Sequence, residues 1–308
     1  MLKICGWARV SEVLRLGPIT PKEKMMFYKN WNRTFLIVSA SLVLNCIIAH
    51  ASNKPDLIFL LGGQSNMAGG GYTTDLPDTD EYKRYHTPPK NVSIWNVKTK
   101  IWQPLELGKR FGPEIGFAHA LSAAFPGKHI GLVKYAAGGT SMDKWAASGK
   151  LYPRLLTAFK DARQSAPDAK LAAMLWHQGE SDSDTKEVAE AYHGKIIKFV
   201  ASVRKDTKDP NLLFILGQIN PAKSYCGRPR FLHADIVKKA QTELKVANTV
   251  MIKTDDCEMN PYHWGFNTPK EKRIPKNEDN IHYSGKGQIK MGKRFAKVYL
   301  AKRKNISR

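Results

Sequence analysis

A chain of 308 residues is long enough for one large domain or two ordinary ones. Its 49 Lys and Arg against 27 Asp and Glu give a net charge of +22, a field that favours anionic surfaces or polymers. Those charges are spread along the chain without aromatic interleaving or a nucleic-acid motif, which argues against a nucleic-acid-binding module.

The first element is an uncharged apolar run, Phe35 to Ile48, too short to cross a bilayer core of about 30 Å comfortably. Lys29 and Arg33 precede it, and Ala49-His50-Ala51 supplies small residues where a signal peptidase inspects them. The run therefore predicts an export signal cleaved after Ala51, rather than a stable membrane anchor, and a periplasmic or extracellular protein. Cys46 is a poor lipoprotein cysteine, because Asn45 stands where a small residue is wanted. Met25 or Met26 would start a signal of ordinary length. Residues 52–308 then form one α/β domain with a net charge of +17, since residues 1–51 hold seven of the basic and two of the acidic residues. Of the four cysteines, Cys226 and Cys257 remain; an oxidising compartment permits their pairing, and the sequence leaves it open.

From Asp56 onward, short apolar runs alternate with amphipathic stretches. Leu57 to Leu61, Ile130 to Lys134, Leu171 to Trp176, Leu212 to Leu216 and Val250 to Lys253 read as five strands buried on both faces. Ile115 to Ala124, Tyr152 to Ser165, Lys186 to Arg204, Leu232 to Lys245 and Gly285 to Lys302 read as helices. Right-handed crossovers assemble this order into a three-layer α/β/α sandwich with a five-stranded, mainly parallel, flavodoxin-like sheet. Functional residues then belong in loops at the C-terminal strand ends. Gly69 to Phe111 and parts of Ser224 to Lys276 break the rhythm and read as long functional loops.

Directly after the first strand comes Gly62-Gly63-Gln64-Ser65-Asn66-Met67. A serine there stands at a helix N-terminus, whose N–H groups can hold the oxyanion formed when it attacks a carbonyl. Alone, such a serine is equally an N-cap. Near the other end, Asp279-Asn280-Ile281-His282 places a carboxylate three residues before a histidine, within reach of Nδ1, leaving Nε2 to act as general base. Between them, Ala137-Gly138-Gly139-Thr140-Ser141 follows the second strand, and Trp176-His177-Gln178-Gly179-Glu180-Ser181 the third. The Gly139 N–H and the Gln178 amide are candidate oxyanion donors. No phosphate loop, His-Glu-x-x-His or paired-cysteine metal pattern occurs, so no metal or cofactor is expected. Ser65 also lacks the second glycine of a G-x-S-x-G elbow.

Together these residues resemble the SGNH hydrolases, and within them the sialate O-acetylesterase and acetylxylan esterase group, carbohydrate esterase family 6. The resemblance rests on GQSNM at Ser65, Gly-Gly-Thr at 138–140, WHQGESD from Trp176 to Asp182 and Asp-x-x-His at 279–282, in that order. It implies a serine esterase removing O-acetyl groups from poly- or oligosaccharides, with Ser65 as nucleophile, His282 as base and Asp279 as its orienting carboxylate. The implied oxyanion hole comprises the Ser65 and Gly139 N–H groups with Gln178, where most of the superfamily carries asparagine. Glu180 is an additional candidate, as a second carboxylate or a substrate contact. Arg110, Asp143, Lys144, Trp145, Tyr262, His263 and Trp264 fall in loops expected to border the cleft. A lipase or thioesterase of the same superfamily, and a non-catalytic glycan-binding protein, are the alternative readings; oligomeric state is open.

Overall fold

The computed structural model describes residues 54–306. The export-signal reading of residues 1–51 lies outside them. Seven strands form the central sheet: β1 (Leu57–Gly63), β2 (Val92–Asn96), β3 (Ile101–Pro104), β4 (Ile130–Ala136), β5 (Lys170–His177), β6 (Phe214–Gly217) and β7 (Thr249–Ile252). Their spatial order is β7-β6-β5-β1-β4-β2-β3. All neighbours run parallel except β2 and β3.

Alternation along β1 shows why this sheet has two covered faces. Ile58 and Leu60 enter one core, against α3 (Tyr152–Ser165), α4 (Lys186–Thr207) and α5 (Ala234–Thr242). Phe59 and Leu61 enter the other, against α2 (Glu114–Ala124) and α6 (Gly285–Ile306). A strand covered on both faces has no place for a polar side chain, hence its unbroken apolar run. The helices carry a matching stripe. In α4 the buried residues Ala189, Tyr192, Ile196, Phe199 and Val203 recur every three or four positions.

The five expected strands are all present, but the sheet has seven. β2 and β3 lie inside the segment expected to be loop, whose Pro- and Lys-rich flanks conceal them. Turn chemistry makes the hairpin: Asn96 Oδ1 accepts from the N–H groups of Lys98 (2.9 Å) and Thr99 (3.1 Å), and Lys100 takes a φ of +54°. Across the pair, Trp95 and Trp102 meet edge to face at 5.2 Å, and the Trp102 indole donates to Ser165 Oγ on α3.

The chain passes from β1 to the β4 side of the sheet and later crosses to β5 on the other side. That reversal opens a crevice at the C-terminal end of β1, where open α/β sheets bind ligands. Cys226 and Cys257 are both free. The Cys226 thiol sits 3.1 Å from His263 Nε2, while Cys257 is buried near Arg294, and burial pushes its thiol up to about 11.

Candidate active site

β1 ends in Gly62-Gly63, and no other residue fits at Gly63. A side chain at Gly63 would put Cβ 2.0 Å from the His177 carbonyl, and its φ of +143° suits glycine alone. This close approach lets the strand hand directly into α1 (Ser65–Gly69). Gln64, 2% exposed, stitches the turn to the β5 loop: its N–H donates to the His177 carbonyl (3.0 Å), and its Oε1 accepts from Gly179 N (3.2 Å) and Ser181 N (3.3 Å). Ser65 is thereby the first residue of α1, partly exposed, with its N–H among those a helix start leaves without an internal acceptor.

His282 follows a tight turn. Its Nδ1 lies 2.7 and 2.9 Å from the two Asp279 carboxylate oxygens, and Asp279 Oδ1 also accepts the His282 backbone N–H at 3.1 Å. Asn280 takes a φ of +52°, which bends the chain enough to bring both contacts to one carboxylate. Asn260 zips the turn from the other side, donating its N–H to the His282 carbonyl (2.7 Å) and accepting from Asn280 N (2.8 Å).

Asn66, next to the serine, joins these two elements. Its Nδ2 donates to the Ile281 carbonyl (2.9 Å), and its Oδ1 accepts from Tyr283 N (3.0 Å), so it grips both neighbours of His282. The second Nδ2 hydrogen goes to Glu180 Oε1 at 2.8 Å. Glu180 is 1% exposed, and the His177 ring nitrogen stands 3.5 Å from the same oxygen. Burial pushes the Glu180 carboxyl up, but His177 and Asn66 outweigh it and hold the group below the usual range. Glu180 therefore sits beneath Asn66 and not on His282, whose Nδ1 is occupied by Asp279. Sequence reasoning missed Asn66 and Gln64; both flank the serine in GQSNM, and their only signal was being polar where a buried turn begins.

The loop after β4 passes over the serine. A Cβ at Gly138 would come 3.5 Å from Ser65 Cβ, while one at Gly139 would meet nothing within 4 Å. Gly139 is exposed with a φ of +63°, and its N–H makes no backbone hydrogen bond among the described residues. The Gln178 side chain does not join it in the cleft. Gln178 is 0% exposed, and its amide donates to the Thr140 carbonyl (3.0 Å) and to Asp182 Oδ2, which uses both hydrogens. Charge attracts the amide inward, to the buried Asp182 carboxylate. Asp182 in turn accepts the Met142 N–H on both oxygens (3.1 and 3.0 Å). Burial raises its carboxyl to about 6, against the pull of Gln178, Met142 and Lys195. Gln178 and Asp182 thus fasten the loop just after Gly139, at Thr140 and Met142.

With this geometry in place, comparison with known proteins decides the family. The sequence profile of "carbohydrate esterase, sialic acid-specific acetylesterase" matches residues 55–301. The chain belongs to this family of carbohydrate esterases. It is 29% identical over 264 residues to a probable carbohydrate esterase of Arabidopsis thaliana, covering 80% of this chain and 91% of that protein. The crystal structure of the Arabidopsis protein superposes with a TM-score of 0.64 at 25% identity, covering 80% of this chain and 98% of that one. The fold is shared by NanS (TM-score 0.62, 17% identity, 82% of this chain and 99% of that one). It is also shared by a carbohydrate acetylesterase from Xanthomonas citri (TM-score 0.54, 17% identity, 78% and 55%).

Around the site of this carbohydrate esterase, the loop residues divide. Trp145 is fully buried, packed 5.1 Å from Trp176, with its indole donating to Thr140 Oγ1, so it supports the Gly139 loop and does not line the cleft. Asp143 pairs with Lys195 at 2.8 Å, and Lys144 is exposed. Arg110 lies 5.2 Å over the Tyr72 ring, whose hydroxyl donates to the His263 carbonyl. Tyr262 bridges to Glu278 beside Asp279, and Trp264 is 45% exposed.

Proposed function

We propose that Ser65, His282 and Asp279 hydrolyse O-acetyl esters on poly- or oligosaccharides through an acetyl-enzyme. The observation that carries this reading is the Asn66 clamp, which fixes the residues on both sides of His282 to the one that follows Ser65. Ser65 Oγ attacks the acetyl carbonyl while His282 Nε2 takes its proton, and Asp279 stabilises the imidazolium through Nδ1–H. The oxyanion that forms is met by the N–H groups of Ser65 and Gly139. His282 then returns the proton to the departing sugar oxygen and activates a water that releases acetate. Gln178 and Glu180 act as positioning residues, the first for the Gly139 loop and the second for Asn66.

Export of the enzyme by residues 1–51 accords with a glycan substrate met outside the cytoplasm. Among the described residues no helix is long and apolar enough to cross a membrane.

Acetate release by wild type and by the Ser65→Ala variant, across acetylated sialic acid, xylan and mannan, tests the reading. Release from at least one glycan by wild type, reduced on the order of 10⁴-fold or more in the variant, is expected. A folded Ser65→Ala protein retaining a tenth of the activity contradicts it.

A further inference from the structure

The segment preceding the catalytic turn carries a second set of features. Trp264, Phe266 and Ile274 are 45%, 43% and 37% exposed, three of only seven large hydrophobic residues so exposed among the described residues. Such clustering marks a binding surface more than chance does. Around them stand Lys270, Lys272, Arg273 and Lys276, all exposed, with Glu271 the one acidic residue of the segment 264–276 and Asp75 set against it at Gly265 and Asn267. None of these four cations forms an ion pair among the described residues, in contrast to Lys195, Lys223, Arg230 and Arg294 elsewhere. Lys272 Nζ instead lies 4.8 Å over the Trp264 ring, and Arg273 donates to the Thr268 carbonyl at 2.8 Å.

The patch is connected to the active site on two routes. Rings step outward from His282 to Tyr225 (6.4 Å between centroids), from Tyr225 to His263 (5.2 Å) and from His263 to Trp264 (6.5 Å). The backbone is tied as well: Asn277 donates its side-chain amide to the Lys272 carbonyl (2.9 Å), and its own carbonyl accepts from His263 N (3.1 Å), two residues before Asp279. An exposed indole with aromatic neighbours suits the C–H face of a sugar ring, and cationic groups beside it without a carboxylate ion-pair partner among the described residues suit charge on that sugar chain.

We propose that Trp264 and the basic segment 270–276 form an outer subsite for a polyanionic polysaccharide, a chain bearing carboxylate or sulfate groups, which leads its acetylated residue to Ser65. The proposal rests on the acetylesterase reading for its last clause only; binding at the subsite is separable from turnover. The subsite holds the chain by stacking on Trp264 and by charge along 270–276, while neutral acetylated glycans reach Ser65 without it.

The test uses the full protein carrying Ser65→Ala, so that binding is read without hydrolysis, and compares it with the same protein also carrying Lys270→Glu, Lys272→Glu and Lys276→Glu, or Trp264→Ala. Probes are polygalacturonate, a sulfated galactan, neutral xylan and a DNA duplex, with binding measured by calorimetry at low and at physiological salt. All substituted positions are exposed, and circular dichroism checks the fold. Expected is binding of at least one anionic glycan, weakened on the order of ten-fold or more by the triple charge reversal and also by Trp264→Ala, and weakened by salt. The carboxylate and sulfate probes show which anion is read. Anionic-glycan binding unchanged in the triple variant overturns the proposal, as does no binding of either anionic glycan, or DNA binding as tightly as the better of them. In the active protein, nitrophenyl acetate turnover stays unchanged by the charge reversal. Its absence in wild type would defeat the acetylesterase reading and leave the binding result to stand by itself.

Discussion

Asn66 ties the segment of the proposed nucleophile to the His282 turn. Its amide is saturated, with two donors spent on Glu180 and Ile281 and its acceptor on Tyr283. Asn66→Ala leaves the buried Glu180 carboxylate with His177 and its own backbone N–H, one donor short, a loss of about 1–3 kcal/mol in unfolding free energy by denaturant titration. It also frees the His282 turn, and a small misplacement of the base lowers kcat on the order of 10²-fold with little change in KM. Unaltered kcat in a folded Asn66→Ala protein would show that the clamp does not position His282. Asp182 supplies a pH signature. Its folded carboxyl is raised from 3.8 to about 6, so the folded state holds this proton more tightly than the unfolded chain. Its contribution to stability is therefore full below about pH 4 and is lost as pH rises through about 6, roughly 3 kcal/mol across that window. Denaturant titrations between pH 4 and 7 should show wild type losing stability relative to Asp182→Asn as pH rises. Parallel curves for the two proteins contradict the assignment.

At the scale of elements, the Gly139 loop joins the proposed oxyanion donor to two buried anchors, Gln178 and Asp182. Gly139 sits at φ +63° with open space around its Cβ direction. Gly139→Ala therefore tests backbone conformation without steric clash, and costs about 1–2 kcal/mol if the left-handed geometry is kept. Gly139→Asn, which tolerates that region, should restore most of the stability lost by the alanine variant, as measured by thermal unfolding. Gln178→Ala separates two roles that kinetics alone confuses. As an anchor, Gln178 leaves the Thr140 carbonyl and Asp182 short of a donor when removed, so kcat and stability fall together, the latter by about 1–3 kcal/mol. A fall in kcat with unchanged stability would instead return the amide to the oxyanion. The amide's true direction was hidden from the sequence because Asp182 lies four residues further on, at the foot of a 3₁₀ turn that only the folded β5 loop creates. The hairpin of β2 and β3 was hidden for a similar reason. Its strands are short, only Val92, Ser93 and Trp95 of β2 and none of the edge strand β3 are buried, and polar residues (Ser93, Asn96, Gln103) interrupt both, so neither shows an unbroken apolar run like the other five.

For the whole molecule, the parallel sheet and its helices were legible because burial on both faces forces apolar runs, and the Asp279–His282 contact because an Asp-x-x-His turn keeps its local spacing in any fold. Contacts between distant segments were not legible: the Asn66 clamp spans 215 residues to Ile281, and no periodicity records such a meeting. Export belongs to this scale too. The mature protein should begin at or near Ser52 by mass analysis of its N-terminus, and recovery of residues 35–48 in a membrane fraction would replace export with anchoring. The account as a whole stands on Ser65 being the atom that accepts the acetyl group. Labelling the native enzyme with a phosphonate ester and mapping the adduct by peptide mass spectrometry tests that directly. One label per chain on the peptide containing Ser65, with loss of acetate release in proportion to labelling and no label on the His282→Ala variant, is the predicted result. Label on another residue, or full activity with Ser65 blocked, would contradict it.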